Sequence, residues 1–187
     1  MARRVYVFEN PDRFVAGAVG QPGSRTFYLQ AREGSRVVTV VLEKAQVALL
    51  AERLTELLAE VRSRGANVPD DLLTGEVDRA PLEEPVVETF RVGTMAILWD
   101  GDDESVVVEA REVTLDEGDE GTDEETAETE DEEDADLVRV HLEPRKALAF
   151  AGRALEVVAA GRPPCPFCGQ PLNPEGHICT RRNGYMH

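Results

Sequence analysis

Short apolar runs with a two-residue period open the chain and are broken at regular intervals by turn residues. Val5-Tyr6-Val7-Phe8 reads as a strand, and Phe14 to Gly20 as a second, short and apolar. Gln21-Pro22-Gly23-Ser24 is a turn by its Pro-Gly chemistry. Thr26 to Ala31 is aromatic and strand-like, Glu33-Gly34 turns the chain again, and Arg36 to Leu42 is a β-branched strand. The period then changes. From Lys44 to about Arg64, the residues Val47, Leu50, Leu54, Leu57, Leu58 and Val61 recur at three- and four-residue steps, the buried stripe of an amphipathic helix. Gly65 is a suitable stop.

The same order returns further on. Val92 to Trp99 is strand-like, Asp100-Gly101-Asp102 is a turn, and Ser105 to Val113 and Leu137 to Leu142 are two more strands. Pro144 suits the first turn of a helix running to about Ala160, with Leu148, Ala151, Leu155 and Val158 on one face. Sequence landmarks agree with an internal repeat. Phe14-Val15-Ala16-Gly17 is similar to Phe90-Arg91-Val92-Gly93, and Ala31-Arg32-Glu33 recurs as Ala110-Arg111-Glu112. Leu42-Glu43 before a helix containing Arg53 recurs as Leu142-Glu143 before a helix containing Arg153.

A three-stranded meander exposes one apolar face that a single helix cannot fully cover, so two copies are expected to share a core. The predicted fold is α+β, a pseudo-twofold repeat of a three-stranded antiparallel sheet plus helix, with a small C-terminal zinc knuckle. Residues 1–65 form the first unit with an extra N-terminal strand, and residues 66–85, with Pro69, Pro81 and Pro85, form a linker. Residues 86–160 form the second unit and 161–187 the knuckle-bearing tail.

Charge adds one feature to this picture. The 187 residues carry 37 acids against 20 bases, a formal net charge of -17. Fourteen of those acids lie between 116 and 136, where there is no base and no aromatic or branched apolar residue. Setting them aside leaves 23 acids against 20 bases. The segment 116–136 therefore reads as a disordered, solvated loop inserted between two strands, where closure entropy grows only with the logarithm of length. The acidic balance speaks against a broad nucleic-acid surface, whose affinity comes from Lys and Arg on phosphates. No apolar run approaches the roughly 20 residues of a membrane helix. Met1 to Phe8 holds too few apolar residues for a signal peptide, so a cytoplasmic protein with no membrane contact is expected.

The strongest chemical signal is C-terminal. All three cysteines lie in Cys165-Pro166-Phe167-Cys168-Gly169 and His177-Ile178-Cys179. Cys-x-x-Cys sets two thiolates on one knuckle, and Gly169 lets the turn aim its amides at sulfur. His177 and Cys179 complete a tetrahedral Cys₃His set for a structural Zn2+, leaving no open position for water. A redox Cys-x-x-Cys would normally open a helix, a disulfide pair would leave one cysteine over, and an iron–sulfur cluster normally takes four cysteines. Arg181, Arg182 and Tyr185 follow directly, and either grip a phosphate and stack on a base or fold back on the body.

No Gly-rich phosphate loop, serine nucleophile elbow or His-Glu-x-x-His appears. His141 reads as a packed or rim residue. Glu43 and Glu143, at matching strand–helix junctions, read as acids complementing a helix dipole ahead of an acid/base pair. The leading expectation is a non-catalytic, zinc-stabilised interaction or regulatory protein with a protein partner. One alternative is an enzyme with a groove at the repeat seam, where Arg13, Arg32 or Arg111 holds a phosphorylated or nucleotide-like substrate. The other is nucleic-acid binding through the knuckle and the Arg/Tyr tail.

Several stretches carry a family resemblance: Pro11-Asp12-Arg13-Phe14-Val15-Ala16-Gly17, Arg25-Thr26-Phe27-Tyr28-Leu29-Gln30-Ala31-Arg32, and Phe90-Arg91-Val92-Gly93-Thr94-Met95-Ala96. Arg162 to Gly169, Gly176 to Cys179 and Asn183-Gly184-Tyr185 add to them. Across nearly the whole chain these resemble an actinobacterial family of uncharacterised conserved proteins with a C-terminal CxxC…HxC motif. The resemblance implies no agreed activity and carries over only Cys165, Cys168, His177 and Cys179 as metal ligands.

Overall fold

The computed structural model describes residues 3–69, 77–114, 135–162, 164–170, 172, 179 and 181. Of the acidic segment 116–136, only Ala135 and Asp136 fall among them.

The strands are β1 (Val5–Phe8), β2 (Arg13–Val19), β3 (Thr26–Glu33), β4 (Arg36–Leu42), β5 (Glu88–Asp100), β6 (Ser105–Glu112) and β7 (Leu137–Leu142). The helices are α1 (Lys44–Ser63) and α2 (Pro144–Ala159). The architecture is mixed α+β: one seven-stranded sheet in the order β1-β7-β6-β5-β4-β3-β2, with both helices packed on it. Among the described residues no helix is long and apolar enough to cross a membrane.

Strands β2-β3-β4 and β5-β6-β7 are each an antiparallel meander. They join through β4 and β5, which run parallel. The two meanders thus stand side by side in one continuous sheet, the last strand of the first beside the first strand of the second.

The position of β1 bends the sheet. It pairs in parallel with β7 at one edge, while β2 forms the other edge, and only residues 9–12 connect them. Fully extended, that link spans at most ~19 Å at 3.8 Å per residue, whereas flat strands ~4.8 Å apart would put the edges ~29 Å apart. The sheet must curl. Contacts across the gap follow: the Asn10 N–H donates to Glu33 Oε1 at 2.9 Å, Arg36 donates to the Val7 carbonyl, and its guanidinium lies 4.2 Å from the centre of the Phe8 ring.

The concave face holds one continuous apolar cluster drawn from both meanders and both helices. Leu50, Leu54 and Leu58 of α1 are essentially inaccessible, each burial stabilising by about 1.5–3 kcal/mol. The start of α1 is pinned to β5. The Glu43 N–H donates to Gln46 Oε1 at 2.8 Å, and the same Gln46 amide donates to the carbonyls of Val92 and Gly93. Helix α2 keeps Leu148, Ala151 and Val158 of the predicted face against the core, but not Leu155. Ala147, Leu148, Phe150, Ala151, Arg153 and Ala154 are buried, while Leu155 is 43% exposed. The reason is that α2 packs against α1 and the β2 edge, where Phe14 and Phe150 stack with centroids 4.6 Å apart.

The second half of the predicted linker packs down as a strap over the convex face. Leu82 is buried with Val15, Tyr28 and Val41, the strand positions alternate to those in the main core. A Cβ on Gly17 would stand 2.6 Å from Leu82 Cγ, so only glycine leaves room for that side chain. Gln30, 2% exposed, is satisfied by the strap: Oε1 accepts the Glu83 N–H at 2.8 Å, and Nε2 donates to the Glu83 carbonyl and to Thr39 Oγ1.

Candidate metal centre

Beyond α2 the chain makes a tight knuckle. The Gly169 N–H donates to the Cys165 carbonyl at 2.8 Å, and the Cys165 N–H donates to the Gln170 carbonyl at 2.7 Å. Closing so short a loop requires a left-handed residue, supplied by Gly169 at φ +75°. This brings Cys165 and Cys168 to one side, and Cys179 arrives from the following segment. The three Sγ atoms lie within 4.8 Å of one another, with Cys165 and Cys179 buried and Cys168 half-buried.

The distances discriminate between the possible uses of three sulfurs. Cys165 Sγ and Cys179 Sγ are 3.9 Å apart, where a disulfide would require ~2.05 Å, and none of the three cysteines is disulfide-bonded. Two thiolates on one tetrahedral zinc, each ~2.3 Å from the metal, stand about 3.8 Å apart. The cluster therefore has the dimensions of a thiolate metal site and can hold a metal ion.

The thiols differ in acidity. At Cys165, burial works to raise the value, but the amides of Cys168 and Phe167 and the neighbouring thiols outweigh it and leave the group more acidic than an ordinary cysteine. At Cys168, the Gln170 amide favours the thiolate, but burial, hydrogen bonding with the Cys165 and Cys179 sulfurs and the charge on Cys165 outweigh it and push the thiol up. Crowded thiolates repel one another, and a divalent cation relieves that repulsion.

Of the other residues singled out in this region, Arg181 donates to the Phe167 carbonyl at 3.3 Å and so ties the tail to the knuckle. His177, Arg182 and Tyr185 lie outside the described residues. The arginines considered for a substrate groove are engaged with acids: Arg13 with Asp78 at 2.5 Å, Arg32 with Glu83 at 3.0 Å and Arg111 with Glu109 at 3.2 Å. Glu43, at the start of α1, pairs with Arg91 at 2.6 Å, and Glu143 precedes α2 at the corresponding point. His141 Nε2 is 3.5 Å from a Glu9 carboxylate oxygen with its side chain 19% exposed, a rim position.

One group escaped the sequence reading. The sequence reading matches Arg153 with Arg53, yet Arg53 is exposed and pairs with Glu56, whereas Arg153 is 6% exposed. Arg153 Nε donates to the Ala16 carbonyl at 2.6 Å, and Nη1 donates to the Asp78 carbonyl. Nothing in its neighbourhood along the chain marks it out, because its partners come from β2 and the strap.

A family described as "Protein of unknown function (DUF3090)" matches residues 6–179, a span that includes all three cysteines. No curated protein and no solved structure matches the chain.

Proposed function

The chain belongs to the DUF3090 family, and from that premise we propose that it is a non-catalytic, zinc-stabilised cytoplasmic protein that acts by binding a protein partner. The observation carrying this reading is the set of three sulfurs within 4.8 Å of one another, one pair of them 3.9 Å apart, near the spacing of two thiolates on one tetrahedral zinc. His177, two residues before Cys179, is the proposed fourth ligand. Four protein ligands fill the coordination sphere, so the metal has no position for a substrate or an activated water, and its role is structural. It would order a segment too short and Pro-rich to fold alone.

Native mass spectrometry of the purified full-length protein tests this directly. One zinc ion per chain is expected, with loss on Cys165→Ser and on His177→Ala. A protein that is fully folded, metal-free and unchanged by added Zn2+ would overturn the reading. Capture from the native host with wild-type and Cys165→Ser proteins as baits addresses the partner: a protein retained only by the zinc-loaded form is the expected result.

A further inference from the structure

We propose that the cleft between β2 and α2 binds a small organic acid, its carboxylate held by Arg13 and Arg153 and its apolar body lying against Phe14 and Phe150. The cleft has a volume of about 190 Å³. A cavity of about 150 Å³ already admits benzene, so a ring or short alkyl chain bearing a carboxylate fits this one.

The charges on its walls do not cancel. Arg13, Lys146 and Arg153 line it opposite Asp12 and Asp78, an excess of one positive charge. Asp78 serves both guanidiniums: Oδ2 accepts from Arg13 Nε at 2.5 Å, while Oδ1 accepts from Arg13 Nη2 at 3.2 Å and from Arg153 Nη1 at 3.4 Å. Asp12 is committed elsewhere, accepting the Gly34 N–H at 2.6 Å. Glu156, the other acid acting on Arg153, is gripped at both oxygens by Arg79. One carboxylate thus answers two guanidiniums whose side chains are only 12% and 7% exposed.

Donors remain as well. Among the described residues, Arg13 Nη1 and Arg153 Nη2 have no hydrogen-bond partner, and Lys146 Nζ uses one of its three protons on the Pro11 carbonyl. Guanidinium donors match a planar carboxylate, and the stacked rings of Phe14 and Phe150 offer its body an apolar wall. A monoanion restores neutrality. A phosphate monoester, at about −1.5 to −2 charges, overshoots it and suits the ring-lined wall less well.

The test is titration of the full-length protein with benzoate, with uncharged benzamide of the same shape, and with inorganic phosphate, by calorimetry and by thermal shift. Benzoate is expected to bind and raise the melting temperature, and benzamide and phosphate to bind at least tenfold more weakly. Lys146→Glu, an exposed change that inverts the net charge of the walls, should weaken benzoate at least tenfold. Ala149→Leu, which fills the cleft, should abolish binding with the circular dichroism unchanged. Equal affinity for benzamide, binding of phosphate alone, retention of benzoate affinity in Lys146→Glu, or no benzoate binding up to about 10 mM would each overturn the proposal, the last being weak even for so few atoms.

Discussion

The sheet body and the C-terminal knuckle are ordered by different physics. In the body, one cluster of buried Val, Leu, Phe and Ala side chains draws on all seven strands and both helices. Beyond α2, the buried described residues are Cys165 and Cys179, two of the proposed metal ligands. Apolar burial is collective and survives the loss of any one methyl group at a graded penalty. Ligand burial depends on a few atoms and on the ion they share. The body should therefore respond to mutations gradually and globally, and the knuckle in a single step and locally.

The largest effect belongs to the core. Leu54→Ala removes a fully buried side chain facing the sheet and should destabilise the body by about 2–5 kcal/mol in denaturant unfolding. The strap comes next. Gly17→Ala drives a methyl group into Leu82 and should cost about 1–3 kcal/mol. In the double mutant with Leu82→Ala the losses should be less than additive, because the clash is gone; strict additivity would show that the strap is not seated there.

A smaller effect is expected from acid. The Arg13 hydrogen bond, opposed by burial and reinforced by the Ala80 amide, holds the Asp78 carboxyl below its usual 3.8. A depressed folded-state value means that the contribution is complete above pH 3.8 and is lost as pH falls through the lower folded value. Asp78→Asn should flatten that limb of the stability–pH curve, measured by urea titration at fixed pH steps.

The smallest effect on the body is predicted for Cys168→Ser or chelation. Its melting temperature should move by less than about 2 °C, since 1 kcal/mol corresponds to ~2–4 °C at this length. Proteolysis after Ala160 should nevertheless accelerate sharply. A loss matching that of Leu54→Ala would break the comparison and make the two regions one cooperative unit.

Local pattern carried most of the elements. The strands over 36–42 and 137–142 and the helix beginning at Lys44 stand where periodicity puts them. Partners were not legible, because a two-residue period says which residues share a face and nothing about the neighbouring strand. The parallel β4–β5 joint, β1 beside β7 and the strap over Tyr28 each depend on contacts far apart in sequence. The Leu155 misreading has the same origin: the helical period was right, but the surface that α2 meets was unknown. The gathering of the three thiols was legible for the opposite reason, since cysteines within fifteen residues of one another are nearly a local property.

The short tether between β1 and β2 sets the order of synthesis against the order of assembly. β1 leaves the ribosome first, yet the strand beside which it lies begins at Leu137. A nascent chain must carry β1 unpaired until almost the whole sheet has emerged, and the curled sheet closes late and in one event. Removing the first dozen residues would spare every helix and six strands, but would leave the outer rim of β7 bare, an open template on which two molecules can zip together.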